Sequence, residues 1–292
     1  MSPLEAEVLR PVVVAWVAFL GAVVGSFLNV VIARVPRGES VVRPRSRCPG
    51  CGATIGWYDN VPVLSWIVLR ARCRACGARI SARYPLVELL GVGAALLAWW
   101  RHGLSPAAAV ELAFAAILVA LSFIDLDTWT LPNALTWTLV ALGLAAAALG
   151  IGPAPSLASA AAGAAVGFAA LALVARGSTA LARRAGRIGP DQEAFGFGDV
   201  WLFSGLGAGL GLPALLPVLL LSSIQGALAG IVLLVLGKAA TGEKGSGVQY
   251  EDGSVPPRAS VPFGPFLALG ALEWLWLAGP LARSFPALDA FR

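Results

Sequence analysis

Charge is scarce in this chain. Only 13% of its 292 residues are Asp, Glu, Lys or Arg, against 58% hydrophobic, and the mean hydropathy is +0.80. A soluble domain needs a larger charged surface, so the composition excludes one and points to a polytopic membrane protein. Histidine is scarcer still. His102, beside Arg101, is the only one, which argues against Ser-His catalysis and against a histidine-bound catalytic metal. No glycine-rich nucleotide-binding loop is present, and no inverted repeat of the transporter kind is visible. The N-terminus Met1–Arg10 carries Glu5, Glu7 and one basic residue. With no small-residue cleavage site after the first apolar run, a cleavable signal peptide is not expected.

Apolar runs are what the chain has in abundance. Seven of spanning length are centred in Pro11–Ala33, Leu86–Trp100, Ala107–Ile124, Ala134–Ile151, Leu157–Ala175, Leu215–Leu236 and Pro262–Leu277. A shorter, glycine-rich eighth, Val200–Leu212, reads as a short or tilted span whose backbone lies close to its neighbours. The expected fold is therefore all-α with about eight transmembrane helices. Of the 21 Lys and Arg residues, 17 fall in three segments, 34–83, 176–187 and 238–258. Eight spans and an external N-terminus put all three in the cytoplasm, as the positive-inside rule requires. The net charge of +5 then reads as orientation and contact with membrane lipid, with no nucleic acid as partner. The expected division is a first span (1–34), a cytoplasmic loop domain that holds all four cysteines (35–85) and a polytopic domain (86–292).

Two aspartates stand at the cytoplasmic edges of these runs: Asp125 in Ser122-Phe123-Ile124-Asp125, and Asp199 in Gly196-Phe197-Gly198-Asp199. Carboxylates are costly near lipid and are placed there when they face protein or water and have a task. Two of them sharing one proton can activate water for peptide hydrolysis. Gly196 and Gly198 would let an extended peptide approach the second carboxylate. A G-x-G-D run alone reads more readily as a turn closing on a helix N-cap, and Asp125 in the same setting shifts the balance toward catalysis. Asp127, farther into the cytoplasm and on another helical face, is expected to have a solvated or supporting role.

All four cysteines lie in one loop, as Cys48-Pro-Gly-Cys51 and Cys73-Arg-Ala-Cys76 with 21 residues between the pairs. Two such knuckles can hold one tetrahedral Zn²⁺. Four cysteine ligands leave no position for water, so the metal is expected to be structural. Within the same loop Val63–Leu69 reads as a hairpin strand or a segment against the membrane surface, with Trp57 and Trp66 as interfacial anchors.

In order, Gly25-Ser26-Phe27-Leu28-Asn29-Val30, the four cysteines, Asp59-Asn60-Val61-Pro62, Arg83-Tyr84-Pro85-Leu86-Val87-Glu88, Ile124-Asp125-Leu126-Asp127 with Leu131-Pro132, Gly196-Phe197-Gly198-Asp199 and Pro262-Phe263-Gly264-Pro265-Phe266 resemble the bacterial type IV prepilin peptidases. These are membrane aspartic proteases of the G-x-G-D kind. The resemblance implies cleavage after the glycine that ends a short basic leader on type IV prepilins or type II secretion pseudopilins. It also implies N-methylation of the new terminus with S-adenosylmethionine. On it, Asp125 and Asp199 match the catalytic aspartates, and Cys48, Cys51, Cys73 and Cys76 the zinc ligands. The expected place is the bacterial inner membrane. Two departures stand out: Trp201 where relatives usually have Lys, and Asn133 where they often have Asp.

Glu88, Glu111, Glu273 and Gln225 lie in or near spans and are expected to make structural hydrogen bonds, Glu88 with Arg83 among its candidate partners. Asn29 and Gly25 share one face of the first span, which suits close packing and an interhelical hydrogen bond. The stretches 176–193 and 241–257 read as loops. A proton-coupled transporter with Asp125, Asp199 and Glu88 as relay carboxylates is the main alternative, and a non-catalytic zinc adaptor a further one.

Overall fold

The computed structural model describes residues 3–186, 188, 189, 193, 195–236 and 261–284. The expected loop 241–257 lies outside the described residues, as does part of 176–193. Nine α-helices are described: α1 Pro3–Arg34, α2 Leu64–Val68, α3 Arg83–His102, α4 Pro106–Thr128, α5 Asn133–Ala148, α6 Leu157–Arg184, α7 Phe197–Leu210, α8 Leu215–Val235 and α9 Gly264–Ser284. Among the described residues there is no extended strand, only two isolated bridges inside the cysteine loop. Four segments are long and apolar enough to cross a membrane: Leu9–Arg37, Pro106–Thr128, Leu157–Arg184 and Leu212–Val235. Asn133–Ala148 is apolar but shorter. At 14 residues, α7 is only about 21 Å long, well under a hydrocarbon core of about 30 Å.

The chain divides into two compact units between Ala120 and Leu121, within α4. In the first, α1 packs on α3. Small residues make the approach close: a Cβ on Gly25 would stand 2.5 Å from the Glu88 Cα, and one on Gly21 2.8 Å from the Ala95 Cβ. As expected of the Gly25/Asn29 face, the Asn29 amide donates across to the Tyr84 carbonyl at 3.1 Å. At the other end of α3, Arg101 Nη1 and His102 Nε2 both meet Glu111 Oε2, at 3.0 and 2.7 Å. Glu111 is 1% exposed, so its charge is satisfied where water cannot reach it.

In the second unit α7 is the buried element, packed on α5 and α6. Every residue from Val200 to Leu210 is buried except Trp201. Glycine makes this fit, as the glycine-rich run suggests: a Cβ on Gly143 of α5 would lie 2.6 Å from the Ala208 carbonyl carbon, and one on Gly167 of α6 2.9 Å from the Phe203 oxygen. Ser204 Oγ donates to the Ala164 carbonyl at 3.0 Å. Such backbone contact replaces the hydrophobic drive that lipid does not supply. In the apolar pair α8–α9, Gln225 Nε2 donates to Glu273 Oε2 at 2.5 Å.

Candidate active site and metal centre

Asp125 lies in the last turn of α4 and is 5% exposed. Its Oδ2 accepts the backbone N–H of Gly264 at 3.1 Å. Gly264 is the first residue of α9, and a helix leaves its first N–H groups unpaired. Asp125 therefore supplies, from another helix, the acceptor that the start of α9 lacks. A side chain at 264 would displace the Asp125 carboxylate, since a Cβ there would stand 2.5 Å from Asp125 Oδ2. Asp127 is exposed, unlike Asp125.

Asp199 sits in the first turn of α7, whose N-cap is Gly196. It is not itself the cap, so the turn-and-cap reading of G-x-G-D does not describe this residue. Its Oδ1 is buried and has no hydrogen-bond partner among the described residues. Buried carboxylate oxygens are ordinarily paired, so an orphan at a helix end has a reason to be there. Asp199 and Asp125 interact electrostatically. Leu131 joins the two approaches: a Cβ on Gly198 would lie 2.8 Å from its Cβ, and one on Gly264 3.4 Å from its Cδ1. Asp125, Leu131, Gly198, Asp199 and Gly264 thus form one cluster drawn from α4, the α4–α5 turn, α7 and α9. Gly196 borders it, with Asp199 Oδ2 3.8 Å from where its Cβ would be. Gly264 and Leu131 were visible beforehand only as parts of short motifs; nothing in their sequence spacing tells that they meet.

The departure at Trp201 has a packing role. Its ring is 4.8 Å from Phe168 and 5.9 Å from Trp137, and Phe168 is 6.1 Å from Phe197. These aromatic contacts tie α5, α6 and the start of α7 together. Asn133 opens α5, and its carbonyl accepts the Thr136 hydroxyl at 3.2 Å.

The cysteine loop builds two matching knuckles. In the first, Cys48 N–H donates to the Ala53 carbonyl at 2.9 Å and Gly52 N–H to the Cys48 carbonyl at 2.8 Å; in the second, Cys73 pairs with Ala78 at 2.8 Å and Gly77 with Cys73 at 2.9 Å. Gly52 and Gly77 hold equivalent places with φ of +72° and +71°, a conformation that disfavours any Cβ. All four Sγ atoms lie within 4.8 Å of one another, and Cys48 and Cys76 are 3.8 Å apart. A tetrahedron with metal–sulfur bonds of about 2.3 Å has edges of about 3.8 Å. The residues present fit a four-coordinate metal. Amide N–H groups of Gly50 and Cys51 pull the Cys48 thiol down to about 7. At Cys76 the Ala78 amide pulls the same way, but hydrogen bonds with the other thiols, Cys51 first, and burial push it up to about 11. Four sulfurs so close cannot all ionise without a cation.

Elsewhere in the loop the structure departs from expectation. Val63–Leu69 is no hairpin strand, because Leu64–Val68 forms the short helix α2. Glu88 takes the Val63 N–H on its Oε2 at 2.7 Å, a backbone partner that sequence spacing had not suggested.

A helical membrane protein that carries both a buried carboxylate pair and a four-sulfur cage belongs to a narrow class. The chain belongs to the type IV leader peptidase family: the model of that family matches residues 112–231, and the Bacterial Peptidase A24 N-terminal domain matches residues 19–102. It is 40% identical to the prepilin leader peptidase/N-methyltransferase of Myxococcus xanthus, over 95% of this chain and 94% of that one. It is also 37% identical to the type 4 prepilin-like proteins leader peptide-processing enzyme of Escherichia coli, over 88% and 91%. With the prepilin leader peptidase/N-methyltransferase of Neisseria gonorrhoeae the identity is 38%, over 79% and 86%. No solved structure matches the chain.

Proposed function

We propose that this inner-membrane protein is a prepilin leader peptidase whose acid–base pair is Asp125 and Asp199. The observation that carries the reading is the cluster itself: a buried Asp199 oxygen with no hydrogen-bond partner among the described residues, beside a carboxylate that already caps α9. Two close carboxylates share one proton. In the proposed cycle Asp125, held in place by the Gly264 N–H, takes the part of the base, and Asp199 carries the shared proton. Water attacks the scissile carbonyl carbon and gives its proton to Asp125, while Asp199 protonates the carbonyl oxygen. Collapse of the tetrahedral intermediate returns that proton to Asp199, and Asp125 passes its own to the leaving amine. Gly196 and Gly198 leave the flank of Asp199 clear for an extended peptide backbone.

The family names support prepilins as substrates, with type II pseudopilins as a related class, and support methylation of the freed amine. Methyl transfer from S-adenosylmethionine carries no residue assignment. Cys48, Cys51, Cys73 and Cys76 would hold Zn²⁺, which stiffens the loop and leaves no open coordination position for catalysis. Eight spans with the N-terminus outside place both aspartates and the zinc loop at the cytoplasmic face, a topology supported by the arginine distribution. The transporter alternative finds no support in the family. Reconstitution of the protein with a prepilin tests the reading: wild type removes the leader, and Asp125→Asn and Asp199→Asn do not. Intact leader after incubation with wild type would defeat it.

A further inference from the structure

The cysteine loop carries an apolar face that its own fold leaves uncovered. Along α2, Leu64, Ile67 and Val68 are 61%, 57% and 74% exposed, and their i, i+3, i+4 spacing puts them on one side of the helix. The opposite side is bonded into the loop. Ser65 Oγ donates to the Tyr58 carbonyl at 3.1 Å and accepts the Val61 N–H at 3.0 Å, and Trp66 Nε1 donates to the Ile80 carbonyl at 3.2 Å. Orientation of the helix is therefore fixed, with the apolar side outward.

Its position is fixed too, and at a cost. Val63, just before α2, has φ +61° and ψ −49°, a γ-turn closed by Leu64 N–H on the Pro62 carbonyl at 2.6 Å. A β-branched residue is strained there and stays only where its surroundings hold it. What holds it is Glu88, whose buried carboxylate accepts the Val63 N–H. Glu88 stands five residues inside the Arg83 end of α3, roughly 7 Å along the axis. The start of α2 is thus pinned against α3, between one and two turns in from its Arg83 end.

Charge agrees with this placement. Residues 34–83 contain ten arginines and two acids, Glu39 and Asp59, and Asp59 is already clamped by Arg74. Arg70 and Arg72 follow α2 directly. Apolar side chains on one face with a surplus of arginine around them suit the surface of an anionic bilayer.

We propose that α2 is an interfacial helix: Leu64, Ile67 and Val68 enter the headgroup–acyl boundary of an anionic leaflet, and the Glu88–Val63 hydrogen bond with its strained turn sets their depth. The inference rests on membrane embedding and is independent of the peptidase reading. Symmetric nanodiscs make it independent of topology as well. The test is photocrosslinking of the full chain in nanodiscs, with Ile67→p-benzoylphenylalanine and, separately, Val68→p-benzoylphenylalanine. Both positions are exposed, so folding tolerates the probe. Lipid adducts are expected at both, in roughly fivefold higher yield in phosphatidylglycerol than in phosphatidylcholine, the factor that corresponds to about 1 kcal/mol per basic residue engaged. Equal yields in the two lipids would remove the anionic surface from the proposal. Adducts to a second copy of the chain, adducts to added prepilin, or no adducts would overturn it.

Discussion

The cysteine loop and the aspartate site are built by opposite means. The loop is local: each knuckle closes through hydrogen bonds within six residues, from Cys48 to Ala53 and from Cys73 to Ala78, and the two meet sulfur to sulfur. The aspartate site is assembled across the second unit, with Asp125 bonded to Gly264, 139 residues later. One site is held by what its side chains can bind. The other is held by what its glycines leave out, since side chains at 198 or 264 would strike Leu131 or Asp125. A metal cage survives substitutions around it if its ligands remain, whereas a glycine-packed site tolerates almost none.

Metal removal gives the largest separation between the two. A structural four-thiolate site contributes roughly 10 kcal/mol of binding free energy that is also folding free energy. Cys48→Ser, or chelation, should release the metal and open residues 46–54 and 72–80 to amide exchange, while α5 to α8 keep their protection. Metal-free wild-type protein with the loop still protected would break the contrast. Next comes the carboxylate pair. Asp125→Asn and Asp199→Asn should each lower leader cleavage by about 10³-fold or more, in keeping with loss of an acid–base group from a paired site. Bound metal and helical content stay at wild-type levels. Asp127→Ala, at an exposed position, should keep cleavage.

A smaller effect is expected from Gly264→Ala. The new methyl group would sit 2.5 Å from Asp125 Oδ2, so the carboxylate must move. Displacement of a reacting group by about 1 Å costs on the order of 10²-fold in rate. Rates within error of wild type would show that Asp125 has room to spare and that packing does not position it. Cysteine metal content is the control, because nothing at 264 belongs to the loop.

These two modes explain what the sequence made legible. The C-x2-C pairs carry their geometry in their spacing, so the gathering of the four cysteine sulfurs could be foreseen. Asp125 and Asp199 were legible as costly acids in apolar surroundings, but the Gly264 N–H was not, because no spacing rule links residues 139 apart. Glu88 was legible as a hydrogen-bonded acid, yet its partner is the Val63 amide, which every residue but proline offers. Val63–Leu69 reads as a hairpin strand or a segment against the membrane surface, because a short apolar run with β-branched residues does not reveal its form by periodicity. The structure makes it a helix by bonding Ser65 and Trp66 into the loop.

The smallest effect lies inside the loop and sharpens what holds it. Arg74 grips Asp59 with Nε at 3.0 and 2.9 Å and Nη2 at 2.7 Å. These hydrogen bonds, with the Arg74 charge and against partial burial, hold the Asp59 carboxyl below its ordinary 3.8. A lowered carboxylate contributes stability that is complete above its unfolded value and is lost as pH falls through the folded one. The stability difference between wild type and Asp59→Asn should therefore be constant from about pH 5 to 8 and shrink below about pH 4. Arg74 is largely exposed, so salt should screen part of it. Protonation of the cysteines at low pH releases metal from both proteins alike, and that contribution drops out of the difference. If Asp59→Asn itself strips the metal at neutral pH, the clamp and not the sulfur cage is what shapes the loop.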